Sequence, residues 1–146
     1  MSARQDGGHR DPGRADRARP AALAFFDVDE TLVADKTIFS FLRHHYAAAG
    51  RDPGDYPRIR ARLRRQAEAG TPREEVNRAY YRLFAGSTAA ELEKSGAAWF
   101  ANQLTGDFFH PPALEALRAH AAAGDTVVLV SGSFFACLDP IARYVG

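Results

Sequence analysis

Two short runs of apolar residues, far apart in the chain, predict strands. Residues 21–26 read AALAFF and end at Asp27. Residues 126–130 read TVVLV and end at Ser131. The first run is continuous and does not alternate with polar residues, which favours a strand buried on both faces, as in a parallel α/β sheet. The pattern therefore predicts a sheet that starts near the beginning of the chain and continues only after residue 125.

Between these runs the apolar residues recur at helical spacing. Four helices are predicted there: residues 38–49, ended by Gly50; residues 57–69; a helix that opens at residue 71 and is closed by Gly86; and a helix capped by Ser87 that runs through Leu104. Thr71, Pro72 and Glu74 match a capping box, with threonine at the N-cap, proline at N1 and glutamate at N3. A fifth predicted helix, residues 112–123, leads into the second strand, and a sixth follows Ser133.

The order of these elements predicts an α/β fold. A strand, a long helical insert, a helix, a second strand and a final helix follow one another, as expected of a Rossmann-like core that carries an inserted helical cap. We assign residues 21–34 and 107–146 to the core and residues 35–106 to the cap. Because the chain supplies only the first two parallel strands, we expect this core to be incomplete.

The first 20 residues differ in composition from the rest. They interleave arginine with aspartate and contain no apolar periodicity, so we expect residues 1–20 to form a disordered tail. The apolar run at 21–26 is shorter than the hydrophobic region of a signal peptide, and no run approaches the roughly 18 apolar residues that cross a bilayer. We therefore expect a cytoplasmic protein with no membrane span.

Charge and cysteine content argue against several kinds of site. The chain has 19 basic and 18 acidic side chains and a formal net charge of +1, whereas nucleic-acid-binding domains usually carry a strong basic excess. We therefore expect no nucleic-acid partner, and we interpret the arginine-rich stretch at 58–65 as a solvated helix surface. The single cysteine, Cys137, excludes an internal disulfide framework and a cysteine-based zinc site.

Two aspartates directly after the first strand are the strongest candidates for chemistry. Asp27 and Asp29 stand at the carboxyl end of a buried parallel strand, where open α/β sheets bind their ligands. One carboxylate can attack phosphorus and form an aspartyl-phosphate, and a second can protonate the leaving oxygen and then activate water. Acids at one strand end also attract Mg²⁺, which takes oxygen ligands. The simpler alternative is that Asp27 and Glu30 cap a helix, but the position after a buried strand favours a functional site.

A second polar turn follows the second strand. Ser131, Gly132 and Ser133 offer hydroxyls and free backbone N–H groups just before a helix, an arrangement that suits an oxyanion or a phosphate. Taken alone, Ser-Gly-Ser is a common turn. Its position after the aspartate pair, in this order along the chain, favours a phosphate site.

The motifs FFDVDETL and VVLVSGS, separated by a helical insert, resemble the haloacid dehalogenase (HAD) superfamily, and the insert resembles that of its phosphoserine phosphatase-like subfamily IB. The resemblance covers nearly the whole chain after the tail. It implies that Asp27 is the nucleophile and Asp29 the general acid/base, and that the Asp27 carboxylate and the Asp29 main-chain carbonyl hold Mg²⁺. It also implies that Ser131 and the Gly132 amide bind the phosphoryl oxygens of a small phosphorylated substrate, while Thr31 supports the loop at this substrate-binding site.

The chain departs from the pattern of this family in two ways. Glu30 stands where many members have glycine, which the family tolerates. No lysine follows Lys94 and the last acid is Asp139, so the later lysine and the acidic Gly-Asp motif that completes the metal site do not occur in this sequence. Two strands are also too few for an independently stable sheet. We therefore expect the front half of such an enzyme, with a separate chain as a possible source of the missing half.

Three functions stay open at this point. The leading hypothesis is a Mg²⁺-dependent phosphatase that acts on a small phosphorylated metabolite through an aspartyl-phosphate. The alternative is a catalytically incomplete fragment or split subunit that serves as a non-catalytic binding or structural protein. A phosphotransferase is the third, since an aspartyl-phosphate can pass to acceptors other than water. In subfamily IB a cap acid and an arginine recognise the amino-acid end of the substrate, and Asp35 with an arginine from 58–65 is the nearest match here.

Overall fold

The computed structural model describes residues 21–146, so the predicted tail at 1–20 lies outside the described residues. The elements follow in the order β1 (Leu23–Asp27), α1 (Thr37–Ala48), α2 (Asp55–Glu68), α3 (Arg73–Tyr81), a 3₁₀ helix (Arg82–Phe84), α4 (Ala89–Gln103), α5 (Pro111–Ala122), β2 (Thr126–Val130) and α6 (Phe135–Val145). The predicted α/β class and order of elements are confirmed. None of the helices in this described part is long and apolar enough to cross a bilayer.

The two strands form a parallel pair whose register runs from Leu23 beside Thr126 to Asp27 beside Val130. Side chains alternate between the two faces of a strand, and Ala24 and Phe26 of β1 face α5. Ala24 is buried, and the Phe26 ring meets the His120 ring of α5 edge-on, with centroids 6.0 Å apart. Helix α5 therefore covers one face of the sheet.

The opposite face of the sheet is open, which corrects the expectation that the first strand is buried on both faces. Leu23 and Phe25 are 63% and 64% exposed. Within residues 21–146 no helix covers these two side chains, because α5 packs on the other side. The continuous apolar run was a sound indication of a strand, but burial of its second face depends on elements that the described chain does not place there.

The main apolar core lies between the helical insert and the segment that follows β2. Phe41 of α1 and Trp99 of α4 are fully buried, and their rings pack edge-on with centroids 6.1 Å apart. The Trp99 indole N–H donates a hydrogen bond to Ser40 Oγ at 3.1 Å. Phe134, just after β2, packs on Phe41 at 5.6 Å. Because the insert and the loop after β2 share this core, their relative position is set by packing.

Two predicted N-caps are each wrong by one residue. Thr71 is not a cap: the N-cap of α3 is Pro72, whose backbone is extended, and the Val76 N–H donates to its carbonyl at 3.2 Å. The helix therefore begins one residue later than the predicted capping box requires. The N-cap of α4 is Thr88 rather than Ser87, and Thr88 forms a true capping box with Glu91.

Candidate active site

The ends of the two strands bring the predicted motifs to one edge of the sheet. Asp27 and Val130 are paired as the last residues of β1 and β2. One residue further on, the Val28 N–H still donates to the Val130 carbonyl at 3.2 Å. The loop that carries Asp29 and the turn that begins at Ser131 therefore leave the sheet side by side, as parallel pairing requires.

The loop after β1 closes around Val28. Its carbonyl oxygen accepts hydrogen bonds from the N–H groups of Leu32 and Val33, both at 3.0 Å, and its side chain is fully buried. Glu30 has a φ of 60°, in the left-handed region that glycine adopts most easily. This is the position at which the resemblance expects glycine in many members. The buried valine anchors a tight turn, and the flanking aspartates remain more accessible than the valine itself.

The Asp29 carboxylate is held by donors from two distant segments. Its Oδ1 accepts hydrogen bonds from the Thr37 N–H at 2.6 Å and from the Thr37 hydroxyl at 2.8 Å. Its Oδ2 accepts a hydrogen bond from the Ser131 hydroxyl at 2.8 Å. Thr37 is the first residue of α1, and the start of a helix favours negative charge. Asp29 therefore connects the first motif to the helical insert and to the turn after β2.

The turn after β2 is closed by its own serines. The Ser131 Oγ accepts a hydrogen bond from the Ser133 N–H at 3.0 Å. The Ser133 Oγ lies 2.9 Å from the Thr37 hydroxyl. Gly132, between the two serines, is exposed. The turn is thus fixed at both serines, while its glycine faces outward.

Asp27 has a different environment from Asp29. It is exposed, and its Oδ2 accepts a hydrogen bond from the Thr31 hydroxyl at 2.6 Å. Thr31 therefore contacts the Asp27 carboxylate directly. The structure thus places the five residues singled out by the sequence at the carboxyl end of the sheet: Asp27 ends β1, Asp29 and Thr31 lie in the loop after it, and Ser131 and Gly132 lie in the turn after β2.

Sequence reasoning missed Thr37 as a member of this cluster. Thr37 is fully buried and makes two of the three hydrogen bonds to Asp29. A weak signal was available, since a threonine directly before the first apolar helical position, Ile38, is a common sign of a helix start. That signal does not reveal which side chain the helix start will face.

Comparison with known proteins gives the family. The family model of haloacid dehalogenase-like hydrolases matches residues 24–146. The chain belongs to this family. A solved structure described as "the protein with unknown function from Bordetella pertussis Tohama I" is similar, with a TM-score of 0.73 and 26% sequence identity over 86% of this chain. The present chain spans 57% of the length of that protein. No curated protein matches it.

The resemblance drawn from the sequence is therefore confirmed for the HAD family and for its fold. The description of this family is that of hydrolases. The matched residues include both loops described above.

Beside the loop after β1 of this HAD family member lies a cavity of about 490 Å³. Its wall comes from α1, α2, α3 and the loop after β1, and its charged lining residues are Glu30, Asp35, Lys36, Arg43, Arg60 and Arg64. Tyr80 also lines it and donates a hydrogen bond from its hydroxyl to the Ile38 carbonyl at 2.6 Å. Burial raises the pKa of Tyr80 above its ordinary value, so the phenol stays neutral. The cavity therefore offers charge of both signs beside the loop after β1.

The residues present suit a Mg²⁺ ion that also binds substrate and water. Mg²⁺ prefers oxygen ligands and is often held by one or two carboxylates, with water and phosphate oxygens as its other ligands. Asp27 supplies an exposed carboxylate, of which one oxygen, Oδ2, accepts a single hydrogen bond from Thr31. Within residues 21–146 no group of three or more His, Cys, Asp or Glu side chains could form a fully protein-bound metal site. The donor set thus fits Mg²⁺ rather than a metal that needs several nitrogen or sulfur ligands.

Proposed function

We propose that this chain carries the nucleophile and the phosphate-binding turn of a Mg²⁺-dependent phosphatase that acts on a small phosphorylated metabolite. The observation that carries the proposal is the position of Asp27 at the end of β1, directly beside the turn that begins at Ser131 at the end of β2. An exposed carboxylate and a turn of hydroxyl and N–H donors at one sheet edge are what an attack on a bound phosphoryl group requires.

In the proposed first step, Asp27 Oδ1 attacks phosphorus. Thr31 already donates to Oδ2, which leaves Oδ1 as the attacking oxygen. A bond forms between Oδ1 and phosphorus while the bond from phosphorus to the leaving oxygen breaks. Asp29, which takes up a proton from solvent on Oδ2 once Ser131 has turned to the phosphoryl group, gives this proton to the leaving oxygen. In the second step Asp29 takes a proton from water, the water oxygen attacks phosphorus, and the Asp27 carboxylate is released with inorganic phosphate.

The hydrogen bond between Ser131 and Asp29 has a role in this sequence of steps. In the structure the Ser131 hydroxyl donates its hydrogen bond to Asp29 Oδ2. A bound phosphoryl oxygen is a competing acceptor for that hydroxyl. When Ser131 turns to the phosphoryl group, Oδ2 loses its donor and becomes free to carry the proton that the leaving oxygen needs. Thr37 keeps Oδ1 in place during this exchange.

The Asp27 carboxylate and the Asp29 main-chain carbonyl are the residues that would hold Mg²⁺. When bound, the ion supplies positive charge that offsets the charge of the phosphoryl group and the nucleophile.

The cavity supports a substrate of the phosphoserine type. Arg60 and Asp35 line the same cavity, which borders the loop after β1, so a metabolite that carries both an amino and a carboxylate group would find a partner for each. Residues 35–106 would then act as the cap that admits this substrate and excludes water.

The test is hydrolysis of p-nitrophenyl phosphate by the purified chain, with Mg²⁺ and with EDTA, beside the Asp27→Asn variant. We expect turnover that requires the metal and disappears in Asp27→Asn. Turnover retained by Asp27→Asn would contradict the assignment of the nucleophile. Release of p-nitrophenol together with inorganic phosphate distinguishes hydrolysis from transfer to another acceptor.

The open sheet face favours a second candidate function. Leu23 and Phe25 expose apolar side chains on this face, and a partner chain that supplies further parts of the fold would cover them. In that case the 146 residues act as a binding or structural subunit that lacks turnover by itself. A folded chain with Mg²⁺ and no turnover favours this second candidate, whereas turnover by the chain alone argues against it.

A further inference from the structure

A cation from the helical insert reaches the turn after β2. Arg73, the first residue of α3, places its guanidinium Nη2 3.0 Å from the position that a β-carbon on Gly132 would occupy. A larger residue at position 132 would have to displace this guanidinium. The absence of a side chain at Gly132 therefore lets an arginine of the insert lie against the backbone of the Ser131–Ser133 turn.

The placement of Arg73 follows from how α3 is anchored. Tyr80 and Tyr81 of the same helix pack edge-on against Phe134, with ring centroids 6.2 Å and 5.5 Å apart. Tyr80 is buried, and Phe134 comes two residues after Gly132. The C-terminal end of α3 thus packs on the segment that continues the turn, and Arg73 at the other end of the helix lies beside Gly132.

The guanidinium of Arg73 is available to a ligand. The side chain is exposed, and no described side chain accepts a hydrogen bond or forms an ion pair with it. Other arginines of the insert do have partners, for example Arg58 with Asp55 at 2.7 Å and Arg64 with Glu68 at 3.4 Å. A guanidinium matches the geometry of a phosphate and binds it through two N–H groups.

We infer that Arg73 contacts the phosphoryl group bound at the Ser131–Ser133 turn, so that the helical insert supplies positive charge to the phosphate site. The inference rests on the proposed function, because it assumes that the turn binds phosphate. It adds a residue on a separate segment, which joins the site only when α3 lies over the turn. Substrate binding and the position of the insert are thereby linked through one side chain.

The experiment measures binding of inorganic phosphate to the full chain in the presence of Mg²⁺ by titration calorimetry, at low and at high ionic strength. The variants are Arg73→Gln, Arg73→Lys and, as the matched control on the same helix, Arg78→Gln. Thermal unfolding of each variant verifies that the fold is unchanged. Hydrolysis of p-nitrophenyl phosphate is measured in parallel for the same proteins and for Asp27→Asn.

We expect Arg73→Gln to weaken phosphate binding about 10- to 100-fold, the usual effect of losing a hydrogen bond between charged groups. The phosphate affinity of Arg73→Lys should lie between those of Arg73→Gln and the wild type. The affinity of Arg78→Gln should equal that of the wild type. The wild type should also lose affinity more steeply with salt than Arg73→Gln. A merely structural role for Arg73 would not change this salt dependence.

The inference is overturned if Arg73→Gln binds phosphate as the wild type does, if Arg78→Gln loses as much affinity, or if the wild type binds no phosphate. Its failure differs from failure of the proposed function. If turnover depends on Asp27 and not on Arg73, the phosphatase proposal stands without the arginine. If phosphate binding depends on Arg73 but no turnover occurs, the arginine contact stands without the phosphatase.

Discussion

Gly96 of α4 lies directly against the backbone carbonyl of Ala136 in α6, so close that a β-carbon at position 96 would overlap the carbonyl oxygen. The two helices can approach this closely only because position 96 has no side chain. Ala136 is the second residue of α6, the helix that follows the Ser131–Ser133 turn. This contact therefore helps to fix the start of α6, just after the Ser131–Ser133 turn, against the helical insert.

Gly96→Ala should destabilise the protein. Alanine is the better helix former by about 1 kcal/mol, but overlap with a backbone atom that cannot rotate away costs about 1–3 kcal/mol or more. We expect a lower free energy of unfolding in urea than for the wild type. The control is Gly106→Ala, since a β-carbon at Gly106 has open space around it. An unfolding free energy for Gly96→Ala at or above the wild-type value would contradict the packing described.

Thr37→Val should slow hydrolysis by removing one hydrogen bond from Asp29. Valine has nearly the shape of threonine, so the buried site stays filled, and the Thr37 N–H still reaches Asp29 Oδ1. We expect kcat to fall about tenfold, which corresponds to ~1.4 kcal/mol, because Asp29 is held less firmly. Thr37→Ser keeps the hydroxyl and should retain most of the activity. Equal kcat values for the valine variant and the wild type would show that the hydroxyl does not position Asp29.

Arg60→Ala should impair hydrolysis of O-phosphoserine more than hydrolysis of p-nitrophenyl phosphate. Arg60 lines the cavity, with its guanidinium carbon 5.7 Å from the Phe39 ring centroid, and only the first substrate carries a carboxylate that it could bind. We expect KM for O-phosphoserine to rise about tenfold. Arg62→Ala, on the same helix but outside the cavity, should change neither KM. Equal effects of Arg60→Ala on both substrates would exclude Arg60 from substrate selection.

Stability should decrease as the pH falls below about 6.5. Burial lowers the pKa of His45 below its ordinary value of 6.5, and the charges of His44 and Arg51 add to this effect. As the pH falls, the unfolded chain therefore binds a proton before the folded chain does, and stability is lost down to the pKa of the folded state. His45→Gln should show a smaller decrease in melting temperature between pH 7.5 and pH 5.5. The same decrease in both proteins would assign the acid sensitivity to other groups.

Cys137 should resist thiol reagents until the protein unfolds. It is the sole cysteine and is fully buried, and burial raises the pKa of its thiol to about 12. Both access and thiolate formation are therefore limited. We expect no reaction with Ellman's reagent in the native protein and one thiol per chain in concentrated urea. An Ala85→Cys variant, with an exposed position, is the control that should react at once; rapid native labelling of the wild type would contradict the burial.

The sequence predicted the positions of the strands and helices better than the burial of their side chains. Residues 126–130 form β2 with the predicted bounds, since a compact β-branched run between a glycine turn and a polar turn admits few alternatives. The apolar pattern of residues 21–26 identified β1, but whether Phe25 is buried depends on what covers the sheet, and no local pattern contains that information. Capping was misplaced at residue 71, because Pro72 itself takes the extended conformation of an N-cap.

The candidate site could be predicted only in part, because a local sequence pattern does not show which residues tertiary packing brings together. Asp27, Asp29 and Ser131 could be placed together from the sequence, because parallel strands bring their carboxyl ends to one edge. Thr37 and Arg73 come from helices of the insert, and only tertiary packing directs them to the two loops. Their contacts with Asp29 and Gly132 join segments that are eight and about sixty positions apart.

The parallel pairing of β1 with β2 also constrains how the molecule is made. The Ala22 N–H and the Asp125 carboxylate, which meet at the start of this pair, are 103 positions apart in the chain. During synthesis β1 therefore emerges long before its neighbour, while the intervening helices can form local contacts of their own. Asp27 therefore lies on a strand without its partner until β2 has been synthesised. Asp27 and the Ser131–Ser133 turn can therefore come together only after the chain has been synthesised through residue 133.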